Sequence, residues 1–132
     1  MRSVIVVPVT ELVEHTSTRA RGKEAHARLV ARLSSAAPQA DVVVVDLSGA
    51  RMVSGSFMDE FVLNVCAVPG GNTEVIFRVA NEEDADRLRR VCAVRSVRCN
   101  YQLGERGPIA ETPDKLPHRP EAKELKGAFF TT

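Results

Sequence analysis

The chain has 132 residues, enough for one domain with a real core and too few for two ordinary ones. Apolar residues make up 44% and charged residues 27%, a globular balance that excludes a disordered chain and leaves enzyme and binding module both open. The 18 basic and 17 acidic residues nearly cancel, so no net field favours nucleic acid or an anionic membrane.

The start, Met1-Arg2-Ser3-Val4-Ile5-Val6-Val7-Pro8, reads as a strand rather than a signal peptide. Ser3 to Val9 is the first predicted strand, with Pro8 where a missing N–H is tolerated, at an edge or strand end. His15-Thr16-Ser17-Thr18 offers N-caps for a helix over Arg19 to Leu33, whose Ala25, Leu29, Val30 and Leu33 share one face. Arg19, Arg21, Lys23, Arg28 and Arg32 give the opposite face a basic character, which a solvated surface explains more simply than a binding site does. His26 reads as a packing residue, since no second His or Cys stands at metal spacing on this helix.

Ser34 to Ala40, with Pro38, closes that helix, and Asp41-Val42-Val43-Val44-Val45-Asp46 follows. Four consecutive valines predict a strand buried on both faces, because a half-exposed strand would alternate apolar with polar. Beyond it, Ser54-Gly55-Ser56 precedes a helix carrying Phe57, Met58, Phe61, Val62, Val65 and Cys66, with Asp59, Glu60 and Asn64 left for its outer face. Free backbone N–H groups at such a helix start can hold an anion or accommodate a modified serine. Val68-Pro69-Gly70-Gly71-Asn72 ends the helix.

Thr73 to Ala80 is a third strand, alternating Val75, Phe77 and Val79 with Glu74, Ile76 and Arg78. Asn81 caps a helix over Glu82 to Val94 with Ala85, Leu88, Val91 and Cys92 inward; Glu82, Glu83 and Asp84 open it, and Arg87, Arg89 and Arg90 follow, as the helix dipole favours. Val97 to Leu103 is a short fourth strand. From Gly104 the prolines 108, 113, 117 and 120 predict an extended tail, with one or two helical turns over Glu121 to Lys126 and Phe129-Phe130 free to dock on the domain or a partner.

This order predicts an α/β domain over residues 1–104, a small mixed or parallel sheet of about four strands packed with three helices, and a flexible tail over 105–132. Cys66, Cys92 and Cys99 form no C-x-x-C pair and read as small buried hydrophobes; their odd number suits a reducing compartment, and a cytoplasmic protein is expected. No apolar run approaches the roughly 20 residues that span a bilayer.

Chemistry is sparse. The P-loop run, the dinucleotide glycine fingerprint, H-E-x-x-H and G-x-S-x-G are all absent, and His15, His26 and His118 are scattered. Asp59 and Glu60 are adjacent on a helix and point about 100° apart, so they do not converge as an acid/base pair. No catalytic residue, metal ligand or cofactor site is assigned. With no Trp and only Tyr101, the chain has no aromatic platform for bases.

The run Asp46-Leu47-Ser48-Gly49-Ala50-Arg51-Met52-Val53-Ser54-Gly55-Ser56-Phe57 resembles STAS domains, the module of sulfate transporters and anti-sigma factor antagonists. With Asp59-Glu60-Phe61 after it, and Ser17-Thr18-Arg19-Ala20-Arg21-Gly22 upstream, it is similar to the branch of STAS-like domains of unknown function. The resemblance spans roughly Val4 to Arg95. It implies a helix-backed sheet and a non-enzymatic regulatory role in protein–protein contacts, with a histidine-kinase-like ATPase or serine kinase as partner. Laid on the antagonist pattern, Gly55 falls at the modified serine and Ser56 at the serine after it. Ser56 and Ser54 are the phosphorylation candidates, and Ser54, Gly55, Ser56, Asp59, Arg19 and Arg21 the residues expected to meet a partner or an anion. The alternative is a sensor that binds a small anion or nucleotide at the same helix start.

Overall fold

The computed structural model describes residues 3–35, 40–67 and 73–112. In chain order these form β1 (Val4–Pro8), a 3-10 turn (Val9–Glu11), α1 (Arg19–Ser35), β2 (Val42–Asp46), α2 (Gly55–Ala67), β3 (Glu74–Val79), α3 (Glu82–Arg95), β4 (Asn100–Leu103) and β5 (Ile109–Glu111). The five strands make one sheet in sequential order, with β1 to β4 parallel and β5 antiparallel to β4. The fold is α/β, and Pro8 ends an edge strand as its missing N–H requires.

Sequential parallel strands joined by single helices lay those helices on one face, because each crossover turns the same way. The packing agrees: α1 contacts α2, and α2 contacts α3. The valine run divides between the two faces. Val43 and Val45 join the main core with Phe57, Phe61 and Phe77, whereas Val42 and Val44 form a small second cluster with Ile76. All four valines are buried, as an unbroken β-branched run in an interior strand should be. On that second face the in-register neighbours Val4 and Val6 of the edge strand remain half exposed.

Helix starts follow the capping chemistry of the sequence. Thr18 Oγ1 accepts the Arg21 N–H at 3.1 Å, and Asn81 Oδ1 accepts the Asp84 N–H at 2.8 Å. Val30, predicted to share the buried face of α1, is exposed. Arg89, one of the basic residues that the helix dipole favours, is buried, donating to the Tyr101 hydroxyl at 2.9 Å with its guanidinium over the ring. A planar cation can stack and donate at once, so its helix position alone does not decide its exposure.

The sheet also continues past Leu103, where the sequence reading begins a tail. Gly104 has φ +71° and a Cβ on Gly107 would collide with the Leu103 carbonyl, so Gly104-Glu105-Arg106-Gly107 is a turn that only these glycines permit. Gln102 Nε2 ties the turn by donating to Glu105 O and Gly107 O. Thr112, fully buried, closes the hairpin through paired bonds with Cys99. Residues 105–112, expected to belong to the tail, are therefore part of the sheet. The Pro38 turn, the Pro69-Gly70-Gly71-Asn72 stop, His118, Glu121 to Lys126 and Phe129-Phe130 lie outside the described residues. Among the described residues no helix is long and apolar enough to cross a membrane.

Candidate functional site at the start of α2

The stretch between β2 and α2 is held by short polar bonds rather than by burial alone. Ser48 N and Oγ both donate to Asp46 Oδ1, turning the chain out of the strand. Thr16, buried ahead of α1, then clamps the segment: its hydroxyl donates to Met52 O, and its carbonyl accepts the Ser54 N–H at 3.0 Å. The starts of α1 and α2 are thereby fixed side by side.

Ser54 is the N-cap of α2. Its Oγ accepts the Phe57 N–H at 3.0 Å and its carbonyl accepts the Met58 N–H, so the half-buried hydroxyl is committed to the helix. Gly55 is the first residue of α2 and Ser56 the second; Ser56 is exposed. Met52, just before the cap, is 59% exposed, an apolar side chain on a polar rim. Arg87 of α3 lies against the same start, donating to Val53 O at 3.2 Å while paired with Asp84.

Asp59 is not on the outer face of α2 as the sequence reading has it. It sits in the second turn, its side chain only 14% exposed, between Arg19 of α1 and Arg95 of α3. Arg95 Nε and Nη2 grip the carboxylate bidentately at 3.0 and 2.8 Å, and Arg19 Nη1 approaches at 2.8 Å. These bonds, Arg95 foremost, hold the Asp59 pKa down at about 2 against the opposing effect of burial. The helix dipole is thus not its main partner: no acidic residue lies in the first turn of α2. Glu60 also turns inward, meeting Arg19 at 3.4 Å and the Asn64 amide at 2.9 Å. Three helices are cross-linked here by one carboxylate.

The sign of the pH dependence follows. A folded-state pKa below the ordinary 3.8 means that Asp59 contributes stability above that value and loses it as pH falls through about 2. Asp59→Asn is expected to cost about 1 kcal/mol at pH 7, at the low end because both arginines are half exposed and screened. In urea titrations the gap between variant and parent should close between about pH 4 and pH 2; a constant gap would show that charge is not its origin.

Arg21 is not brought to the α2 start. It pairs with Glu24 at 2.7 Å and Glu14 at 3.9 Å and donates to His15 Nε2 at 3.2 Å. Arg28 and Arg32 of α1 are likewise engaged, with Glu24 and Glu11. Of the six residues expected at a partner or anion site, Ser54, Gly55 and Ser56 lie together, Asp59 and Arg19 form the brace beneath them, and Arg21 belongs to its own helix. Thr16, Met52, Arg87 and Arg95 complete the region. Sequence spacing gives no signal for them, because they meet only once three helices pack.

Elsewhere, Ser17 Oγ and His15 Nδ1 are 2.8 Å apart on the exposed segment ahead of α1, a local contact between residues two apart. Among the described residues no group of three or more His, Cys, Asp or Glu side chains is arranged to hold a metal ion. A cavity of about 430 Å³ lies under the C-terminal halves of α1 and α2, at the end of the sheet away from Ser54. Its walls are largely apolar, with Leu29, Val43 and Phe77 among them. Comparison with known protein families, with curated proteins and with solved structures finds no match, so the geometry of the α2 start is what the functional reading rests on.

Proposed function

We propose that this chain is a non-enzymatic regulatory interaction module that presents the start of α2 to a protein partner, and that phosphorylation of Ser56 switches the contact. The observation that carries the reading is the pairing of an exposed Ser56 with a half-buried Ser54 that serves as the cap. One serine builds the helix start; the other is accessible to a modifying enzyme. Exposed Met52 supplies an apolar contact beside it.

A phosphate at the second residue of a 13-residue helix would sit at the positive end of the helix dipole, favourable for the domain itself. Asp59 and Glu60 would repel it less than their sequence positions imply, since both are paired with arginines. The change would therefore be felt by the partner, as bulk and two negative charges in the interface, and not by the fold. The resemblance of Asp46 to Phe61 to STAS-like domains supports an ATPase of the histidine-kinase-like class as partner and kinase. The sensor reading has less support, because the cavity is at the opposite end of the sheet and sequential strand order provides no switch-point crevice for a nucleotide.

The test is retention. A partner captured on the immobilised protein should be lost from Ser56→Asp and kept by Val94→Asp, which places the same charge on an exposed residue of α3. Equal retention by both variants would remove Ser56 from the interface.

A further inference from the structure

Several apolar residues that belong to the core by position stay incompletely buried around a single space. Ile5 of β1, Leu33 of α1, Val65 of α2 and Val75 of β3 pack against the core yet remain partly open, Val30 of α1 is 46% exposed, and all of them line the cavity of about 430 Å³. Cys66, which the sequence reads as a buried hydrophobe, is half-buried for the same reason, whereas Cys92 and Cys99 are buried with their sulfurs 3.1 Å apart. The helix pair explains the gap. At Gly22, α1 presses on α2 so closely that a Cβ would lie 2.9 Å from the Phe57 carbonyl oxygen, but toward their C-terminal ends no described side chain fills the room between the two helices and the sheet. Protein interiors leave few voids larger than a water molecule, and an apolar space of this size is in the range of ligand sites.

We propose that this cavity binds an uncharged amphiphile, a hydrocarbon body carrying one hydroxyl group. The body follows from the walls, where Leu29, Val43 and Phe77 join the residues above. A cavity of about 150 Å³ admits benzene, so by the same ratio one of about 430 Å³ takes roughly 17 non-hydrogen atoms. The site lies at the other end of the sheet from Ser56 and does not depend on its modification.

The rim disfavours a charge of either sign. Arg98 faces Glu111 at 4.0 Å, Asn100 Nδ2 donates to Glu74 Oε2 at 3.2 Å, and Thr73 Oγ1 donates to Ala40 O at 3.0 Å. An anionic head would enter beside two carboxylates, and a cationic one beside Arg98 with both carboxylates already engaged. Either would also give up its water for apolar walls. His26, half-buried in the α1 wall, differs: its imidazole makes no hydrogen bond or ion pair among the described residues. A neutral imidazole carries one donor and one acceptor nitrogen, so a ligand hydroxyl can bond to it in either tautomer.

The test uses the full chain and N-phenylnaphthylamine, an uncharged reporter that brightens in apolar surroundings, with dodecanol, dodecanoate and dodecylammonium as competitors below their micelle-forming concentrations. The reporter should bind saturably, and dodecanol should displace it at a concentration about tenfold lower than either charged chain of the same length, while raising the melting temperature. Val30→Trp, which places a large side chain in the cavity, should weaken reporter and dodecanol binding about tenfold, whereas Val94→Trp, the same side chain on an exposed residue outside it, should leave both unchanged. His26→Leu should weaken dodecanol about fivefold, the worth of one hydrogen bond. No saturable binding, equal displacement by the charged chains, unweakened binding by Val30→Trp or an unchanged dodecanol affinity in His26→Leu would overturn the proposal. Because the competition is read on the unmodified protein, a variant that misfolds does not blunt the test.

Discussion

Gly22→Val should destabilise the domain by about 3 kcal/mol, even though valine is the better helix former by a few tenths of a kcal/mol. Gly22, in the first turn of α1, is buried against α2. A Cβ there would lie 2.9 Å from the Phe57 carbonyl oxygen, 2.9 Å from Glu60 Cβ and 3.2 Å from the Phe61 N–H nitrogen. Two of those three atoms are backbone, so no rotamer change relieves the collision and the helices must move apart. Separation would loosen the Arg19–Asp59 pair and shift the α2 start relative to Thr16, whose two bonds fix it. Urea unfolding should show a lower midpoint at unchanged slope. A midpoint at or above the parent's would mean that the helices do not meet as closely as described.

Phe61→Ala should cost about 3–5 kcal/mol, the largest loss of any single side chain considered. Phe61 is fully buried, with its ring centroid 5.4 Å from Phe57 and 6.2 Å edge-on from Phe77. It is the joint between α2 and the middle of the sheet. Truncation removes both ring contacts and leaves a void that α2 cannot collapse to fill, because Thr16 holds one end of the helix and the Asp59 brace crosses its side. For a domain near 100 residues that loss corresponds to a fall in Tm on the order of 15 °C or more. Phe61→Leu should recover more than half of it; equal melting of the two variants would deny the packing origin.

Much of the fold can be read from residue order, for local physical reasons. Val42 to Val45 cannot alternate and so mark an interior strand; Thr18 and Asn81 can cap and do; Ser54 before Phe57 marks the start of α2. What could not be read depends on packing between segments. Asp59 and Glu60 look like solvated residues until α1 and α3 bring arginines to them, and Arg89 looks exposed until Tyr101 arrives beneath it. β5 had a signal, Gly-x-x-Gly-Pro ahead of Ile109-Ala110-Glu111, but the prolines that follow outweighed it. The contact of Cys92 with Cys99 had none, since no spacing rule joins the side of a helix to the entry of a strand.

For the candidate site, the sequence supplied the serines and the fold supplied their division of labour. Ser54 and Ser56 are equivalent as phosphorylation candidates on paper. In the folded chain one hydroxyl is occupied by the Phe57 N–H and the other belongs to an exposed residue. That difference is what turns a helix start into a surface that can be modified without being undone.

Intact mass of the protein after incubation with its captured partner and ATP tests this most directly. The reading predicts a gain of one phosphate, mapped to Ser56, absent from Ser56→Ala and present in Ser54→Ala, together with release of the partner. An unchanged mass, or a phosphate that maps elsewhere while the partner stays bound, would contradict it.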